Sequence, residues 1–130
     1  MATAISAQAA SWIPIGDSDD GTLRLLVDAE SFTAVKSEEN IPLIGAMYRY
    51  VAEGNPKTPV AYLTSVQACV DNGGRLVARE FRNNEWVTVA NHWWSSYGPK
   101  MYDEVGKSLC YMLNQKLKQP KSDKPVKGNV

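Results

Sequence analysis

The chain has 130 residues, of which 44% are apolar and 22% are charged, a composition typical of a folded globular domain and not of a disordered chain. Fourteen basic residues balance fourteen acidic ones. This balance argues against a nucleic-acid-binding protein, because such binding depends on neutralising phosphates with Lys and Arg. No apolar run approaches the roughly 20 residues that a membrane-spanning helix needs. We therefore predict one domain that neither binds nucleic acid nor spans a membrane.

The two ends of the chain differ from its middle. Residues 1–10 are predicted to be a flexible arm or the remnant of a signal peptide. Ala7-Gln8-Ala9 has the small-x-small form of a signal-peptidase site, but no basic and no apolar region precedes it, so both interpretations stay open. Residues 11–118 form the predicted domain. Residues 119–130 are basic and contain proline, and we predict that they are a disordered tail.

Three strands are predicted in the first part of the domain. Trp12–Gly16 is a short apolar strand that ends at an acidic turn, and Leu23–Phe32 is a second strand with an interruption near Asp28. Leu43–Val51 is the third. In the second and third strands both alternating sets of positions carry apolar residues, unlike a sheet with one solvated face. One helix covers only one face, so we expect a second subunit to cover the other in a two-fold homodimer.

The middle of the chain predicts a three-stranded antiparallel meander. Ala61–Val70 is rich in β-branched and aromatic residues, and Asn72-Gly73 follows it. Asn-Gly is the preferred sequence of a tight hairpin turn. The turn leads into the strand Arg75–Phe81, and a second turn leads into the strand Trp86–Trp94.

The hydrophobic period changes in the last part of the domain. Apolar residues from Tyr102 to Lys118 recur at spacings of three and four, which predicts an amphipathic helix; they are Tyr102, Val105, Leu109, Met112, Leu113 and Leu117. The predicted fold class is therefore α+β. It consists of an antiparallel sheet of five to six strands with one C-terminal helix packed on one face.

Cys69 and Cys110 are the only two cysteines, and the chain has a single histidine, His92. A structural zinc site needs about four ligands, so this set is too small. A helix packed on the strand before the Asn-Gly turn would bring the two cysteines together. We therefore favour a disulfide, which also indicates an oxidising compartment. Two buried free thiols are the alternative.

The remaining candidate residues point to binding and not to catalysis. Trp93 and Trp94 are adjacent in a strand, so their side chains point to opposite faces; we expect one in the core and the other exposed as a recognition residue. His92 has no second titratable partner in the sequence, and we predict a structural role for it. No cofactor, metal site or catalytic residue is predicted. The basic end of the chain is a candidate site for acidic polysaccharide or anionic lipid, with Lys118, Lys121, Lys124 and Lys127.

Three blocks of the chain resemble the surface-adhesin protein E family of exported bacterial proteins. The first block contains W-I-P-I-G from Trp12, S-D-D-G from Ser18 and V-D-x-x-S-F from Val27. The second runs from Tyr62 through the first cysteine to Arg75, and the third runs from Trp93 to Cys110. Their order and spacing carry the resemblance, which spans nearly all of the predicted domain.

The resemblance implies a strongly bent sheet tied to its C-terminal helix by a Cys69–Cys110 disulfide. It also implies export to the periplasm or cell surface and binding of host extracellular-matrix or serum proteins. We therefore expect an exported, adhesin-like domain with a protein ligand and no enzymatic activity. Two alternatives remain: a periplasmic structural protein of the cell envelope, and a cytoplasmic, phage-type inhibitor of another protein.

Overall fold

The structure, a computed structural model, describes residues 12–18 and 20–118. It contains seven strands and two helices in the described chain. The strands are β1 Trp12–Asp17, β2 Leu23–Lys36, β3 Pro42–Ala52, β4 Asn55–Pro56, β5 Val60–Ser65, β6 Gly73–Arg82 and β7 Glu85–Ser95. The helices are α1 Val66–Asp71 and α2 Met101–Lys118.

The strands form one open antiparallel sheet in the order β1-β2-β3-β5-β6-β7, and the short strand β4 pairs with β3. Apart from β4, strands that are neighbours in the sheet follow one another in the chain, so the connections are short. The α+β class with an antiparallel sheet and a C-terminal helix is confirmed. The strand count is seven instead of the predicted five to six, because β4 pairs over only two residues and leaves no alternating pattern in the sequence.

The hydrophobic core lies between α2 and one face of the sheet, which we call the inner face. Its buried side chains come from every long strand except β1 and from both helices; they are Leu25, Val27, Ile44, Ala46, Tyr48, Tyr62, Ala68, Leu76, Ala78, Trp94, Val105 and Leu109. The predicted apolar stripe of α2 is buried at Val105 and Leu109 but exposed at Leu117. The last turn of the helix therefore contributes little to the core.

A glycine allows α2 to approach the sheet closely. A Cβ atom on Gly106 would lie 2.1 Å from Cδ2 of the Trp94 ring, far inside van der Waals contact. The indole therefore packs directly against the backbone of the helix. This contact fixes the depth at which α2 lies on the inner face.

Strand β2 is interrupted where the sequence predicts it. Its pairing with β3 changes register between Asp28 and Thr33. The Ser31 hydroxyl fills this irregularity by donating to the Asp28 carbonyl at 2.6 Å and accepting the Met47 N–H at 2.7 Å. An irregularity of this kind bends a strand and increases its twist. Strand β2 continues to Lys36, four residues beyond its predicted end.

The prediction of a strand from Ala61 to Val70 is wrong in its second half. Strand β5 ends at Ser65, and helix α1 follows at once. The Ser65 hydroxyl caps the helix by accepting the Ala68 N–H at 3.0 Å. Asn72 is in the left-handed conformation, with φ 63°, but it caps the end of α1 and does not form a hairpin turn. Strands β5, β6 and β7 still form the predicted meander.

Several predictions fall on residues that the structure does not describe. They concern the N-terminal arm 1–10 and the basic tail 119–130, which includes Lys121 and Lys124. Lys118 is the last residue of α2 and is exposed. Neither helix in the described ranges has the length and apolar composition needed to cross a bilayer.

Candidate functional site

The predicted disulfide is confirmed. Cys69 in α1 and Cys110 in α2 are bonded, with a Cα–Cα distance of 5.5 Å, which is within the usual range for this bond. The chain between them contains strands β6 and β7. The bond therefore ties α2 to α1 and closes a loop that contains these two strands.

Trp93 and Trp94 lie on opposite faces of the sheet. Trp94 is 1% exposed and Trp93 is 71% exposed. The Trp94 indole Nε1–H donates to Thr64 Oγ1 at 2.9 Å, and the Thr64 hydroxyl donates to the Arg75 carbonyl at 2.7 Å. The expectation of one core and one exposed tryptophan is confirmed. Trp94 as a binding residue is corrected, because its ring and its only donor are both used inside the core.

The outer face of the sheet is opposite to the inner face, and no element of the described chain packs on it. A row of outer-face residues crosses five paired strands, at Thr33, Gly45, Leu63, Val77 and Asn91. A second row contains Val35, Leu43 and Ser65. Leu63 packs closely over Gly45, which has no side chain; a Cβ there would be 3.0 Å from Leu63 Cγ.

These rows form an open groove, which we call the outer groove. It has a volume of about 660 Å³. Its floor consists of apolar side chains that are half-buried or exposed, namely Val35, Ile41, Leu43, Leu63 and Val77. Arg75 and Arg79 lie along one wall, and Glu38 and Glu39 of the β2–β3 turn lie at another. The outer groove therefore combines an apolar floor with charged walls of both signs.

The Arg75 guanidinium, the cation at the centre of this surface, has no partner in the part of the chain that the structure describes. Among the residues that the structure describes, no hydrogen bond or ion pair involves the Arg75 guanidinium. Arg79 makes one long contact, from Nε to Thr88 Oγ1 at 3.4 Å. A guanidinium with unused N–H groups can donate two parallel hydrogen bonds to a carboxylate.

The outer groove continues past Arg75 into a cleft with aromatic walls, which we call the aromatic cleft. It has a volume of about 530 Å³. Trp93 pairs with Arg75 across the strands, and Tyr97, which is 82% exposed, lies on the loop after β7. The opposite wall is polar: Gln67 Nε2 donates to Asp71 Oδ1 at 3.1 Å, and both residues line the cleft.

Asp103 fixes the loop that carries Tyr97. One carboxylate oxygen accepts the Ser95 N–H at 2.8 Å, and the other accepts the Lys100 N–H at 2.9 Å. The second bond caps the beginning of α2, as an acidic residue at the third helical position does in a capping box. One buried carboxylate thus ties both ends of the loop. The loop that carries Tyr97 is therefore anchored to a buried group.

His92 and the cation Lys118 lie away from the outer groove. The His92 ring stacks on Tyr102 of α2 with centroids 4.5 Å apart, a packing contact in accord with the predicted structural role. Lys118, at the C-terminal end of α2, does not line the outer groove or the aromatic cleft. Within residues 12–18 and 20–118, no group of three or more His, Cys, Asp or Glu side chains could hold a metal ion.

Sequence reasoning missed Arg75, Tyr97 and the apolar floor of the outer groove as a binding surface. The available signal was the double apolar pattern of β2 and β3, which indicates an apolar outer face but does not identify the residues of β5 and β6 beside it. Comparisons of the chain with known protein families, with curated proteins and with solved structures found no match.

Proposed function

We propose that this chain is a non-catalytic binding domain of an exported bacterial protein, which contacts a host matrix or serum protein through the outer groove and the aromatic cleft. One observation carries the proposal: an apolar sheet face, uncovered in the described chain, runs without a break into an exposed tryptophan and an unpaired arginine. Tryptophan, tyrosine and arginine are the residues that most often dominate the energy of protein interfaces.

The chemistry of the surface indicates the kind of segment that would bind. The apolar floor is suited to aliphatic side chains of a ligand. Arg75 and Arg79 would pair with acidic groups beside them, and Trp93 would cover a side chain or an exposed backbone segment. We therefore expect the ligand to present apolar residues flanked by aspartate or glutamate.

The disulfide supports export. Disulfides persist in oxidising compartments and are rare in the cytosol, so the Cys69–Cys110 bond favours the periplasm or the cell surface over the cytoplasmic inhibitor as an alternative. The resemblance to surface-adhesin protein E extends the proposal from binding in general to the binding of host proteins. A two-fold homodimer is also part of the proposal.

The test is retention of the folded, oxidised domain on immobilised matrix and serum proteins at micromolar concentration. We expect one or more of these proteins to retain it. Trp93→Ala and Arg75→Glu should each weaken retention by about tenfold or more, which is the effect of losing a residue that dominates an interface.

Tyr111→Ala is the matched control. Tyr111 is an aromatic residue of α2 that is 64% exposed and lines neither the outer groove nor the aromatic cleft. Its loss should leave retention unchanged. If host proteins fail to retain the domain while proteins from a bacterial envelope extract do, the envelope protein becomes the better assignment. Equal losses in all three variants would reject the outer face as the binding surface.

A further inference from the structure

The two edges of the sheet are protected to different degrees. The edge strand β1 has only six residues and contains Pro14, which has no N–H to offer to another strand. Its register with β2 shifts between Pro14 and Gly16, and Arg24 forms an ion pair with Asp17 at 3.1 Å. Short length, proline, an irregular register and charge are the devices by which proteins prevent edge-to-edge pairing.

Strand β7 forms the opposite edge and has few of these protections. It is 11 residues long, and from Trp86 to Ser95 it contains no Lys, Arg, Asp, Glu or Pro. Trp86, Val89 and Trp93 expose large apolar side chains along it. The edge is free only as far as Trp94, because the Ser95 N–H is donated to Asp103 of α2. A long, uncharged and apolar edge of this kind favours pairing with another strand.

From this edge we infer that β7 pairs antiparallel with β7 of a second copy of the chain, so that two sheets join into one. A two-fold axis brings identical strands together, and any charge on the strand would then meet its own copy. Strand β7 has no such charge between its ends, and the chain as a whole has a net charge of zero. Self-pairing is therefore not opposed by electrostatic repulsion.

The bulge in β7 makes the strand self-complementary. Ala78 pairs with Ala90 and Arg79 pairs with Thr88, so Val89 has no partner in β6. Side chains directly opposite each other in an antiparallel pair lie on the same face. If the two-fold axis passes between Val89 and Ala90, each residue lies opposite a residue that is an odd number of positions away along the strand. In a regular strand, two such residues have their side chains on opposite faces. The extra residue Val89 removes this mismatch, because a bulge shifts the alternation of side chains by one position.

The bulge thus leaves Trp86 and Trp93 on the same, outer face, since Trp86 pairs with Phe81 and Trp93 pairs with Arg75. In the proposed pair, Trp86 of each copy lies opposite Trp93 of the other. Two tryptophan contacts flank the two-fold axis. The outer faces of the two copies become continuous, so the dimer presents two outer grooves on one surface.

This inference differs from a dimer in which the outer faces cover each other, because the outer groove stays open for the ligand described under the proposed function. The two proposals also fail separately. The proposed function is decided by ligand retention in Arg75→Glu, because Arg75 lies on β6 and takes no part in the edge pairing, whereas Trp93 belongs to both surfaces. The edge pairing is decided by the association state of the chain without any ligand.

The test is equilibrium sedimentation of the oxidised protein from micromolar to millimolar concentration. We expect a monomer–dimer equilibrium in the wild type. Val89→Lys brings two lysines together at the two-fold axis and should raise the dimer Kd by about tenfold or more. Ile13→Lys is the matched control. It adds the same charge to the β1 edge at a side chain that is 45% exposed, and it should leave the Kd unchanged.

Hydrogen exchange gives an independent measurement on the unaltered protein. Amides between Trp86 and Trp93 should exchange more slowly at millimolar than at micromolar concentration, whereas those of β1 should not change. The proposal is overturned by a protein that is monomeric throughout, by a Kd that Val89→Lys does not alter, or by a Kd that Ile13→Lys raises equally. A monomer that pairs β7 with an extended segment of a different protein would also overturn it.

Discussion

Both faces of the sheet carry apolar side chains, but the described chain covers only one of them. On the inner face, the Tyr48 hydroxyl lies 2.6 Å from Ser108 Oγ and donates to it, because the Ser108 hydroxyl donates its own proton to the Val105 carbonyl at 2.8 Å. On the outer face, the Arg75 guanidinium has no such partner among the described residues. The buried hydroxyl is thus satisfied on the covered face, whereas the central guanidinium of the open face keeps its N–H groups unused among the described residues.

This difference separates two roles of apolar residues in a small domain, which are stability and binding. Inner-face residues stabilise the fold, because burial of their surface drives folding. Outer-face residues add little to the stability of one copy, because most of them stay in contact with water. An exposed apolar surface of this kind is typical of interaction sites. Substitutions in the two faces should therefore change different measured quantities.

The adjacent tryptophans give the largest expected contrast. Trp94→Ala removes the ring that contacts Gly106 and the donor to Thr64, and we expect it to lower the free energy of unfolding by about 3–5 kcal/mol. Trp93→Ala should change it by less than about 0.5 kcal/mol, as exposed substitutions usually do. Urea unfolding followed by circular dichroism would measure both. Comparable losses in the two variants would contradict the division between the faces.

The disulfide predicts the next largest effect, because it holds α2 on the inner face. The cysteines are separated by 41 positions, and opening a loop of that length should cost about 3–4 kcal/mol. Changing both cysteines to serine should therefore lower the free energy of unfolding by this amount. Reduced wild-type protein is the control and should unfold at nearly the same urea concentration as the variant. If the urea midpoint is unchanged in both the variant and the reduced protein, the disulfide does not stabilise the fold.

Much of the covered face could be predicted from local patterns. Alternation in β7 separates Trp93 from Trp94, since neighbouring residues of a strand point to opposite faces. Spacings of three and four identify α2 and its buried positions Val105 and Leu109. The disulfide followed from the assumption that this helix packs beside the first cysteine. The first two inferences need only one element at a time, whereas the disulfide needs the packing of two elements.

Helix α1 shows where local reasoning fails. Its six residues are too few to display a helical period, and they continue a segment rich in strand-forming residues. The available signals were its caps: Ser65 at the beginning and Asn72 at the end match the preferred capping residues. Asn72-Gly73 also matches a hairpin turn, and the sequence alone does not decide between a helix cap and a hairpin.

The outer groove could not be predicted because it depends on contacts between distant parts of the chain. Its floor is assembled from β2, β3, β5 and β6, and the register of each pair decides which side chains become neighbours. A shift of one residue in any pair would turn a whole set of side chains to the other face. The double apolar pattern indicated that an outer apolar surface exists but not where it is open.

The inner-face hydroxyls predict the smallest effect, a loss of stability in alkali. Burial raises the pKa of Tyr48 above its ordinary value of 10.0, although the hydrogen bond with Ser108 opposes part of this rise. Burial also raises the pKa of Tyr62, and its hydrogen bond with Tyr50 adds to the rise. Above about pH 10 these groups stay protonated in the folded chain and ionise in the unfolded chain. Stability should therefore fall as pH rises through that range.

Tyr48→Phe isolates this effect from the other groups that titrate in alkali. Near neutral pH the variant should be less stable than the wild type by about 1 kcal/mol, because it loses the hydrogen bond to Ser108. It also loses one group that ionises on unfolding. The difference should therefore shrink above about pH 10, by up to roughly 1.4 kcal/mol for each further pH unit. Urea unfolding of both proteins over this range measures the difference. If the two curves of stability against pH run parallel, Tyr48 ionises as easily in the folded chain as in the unfolded chain, which contradicts the prediction.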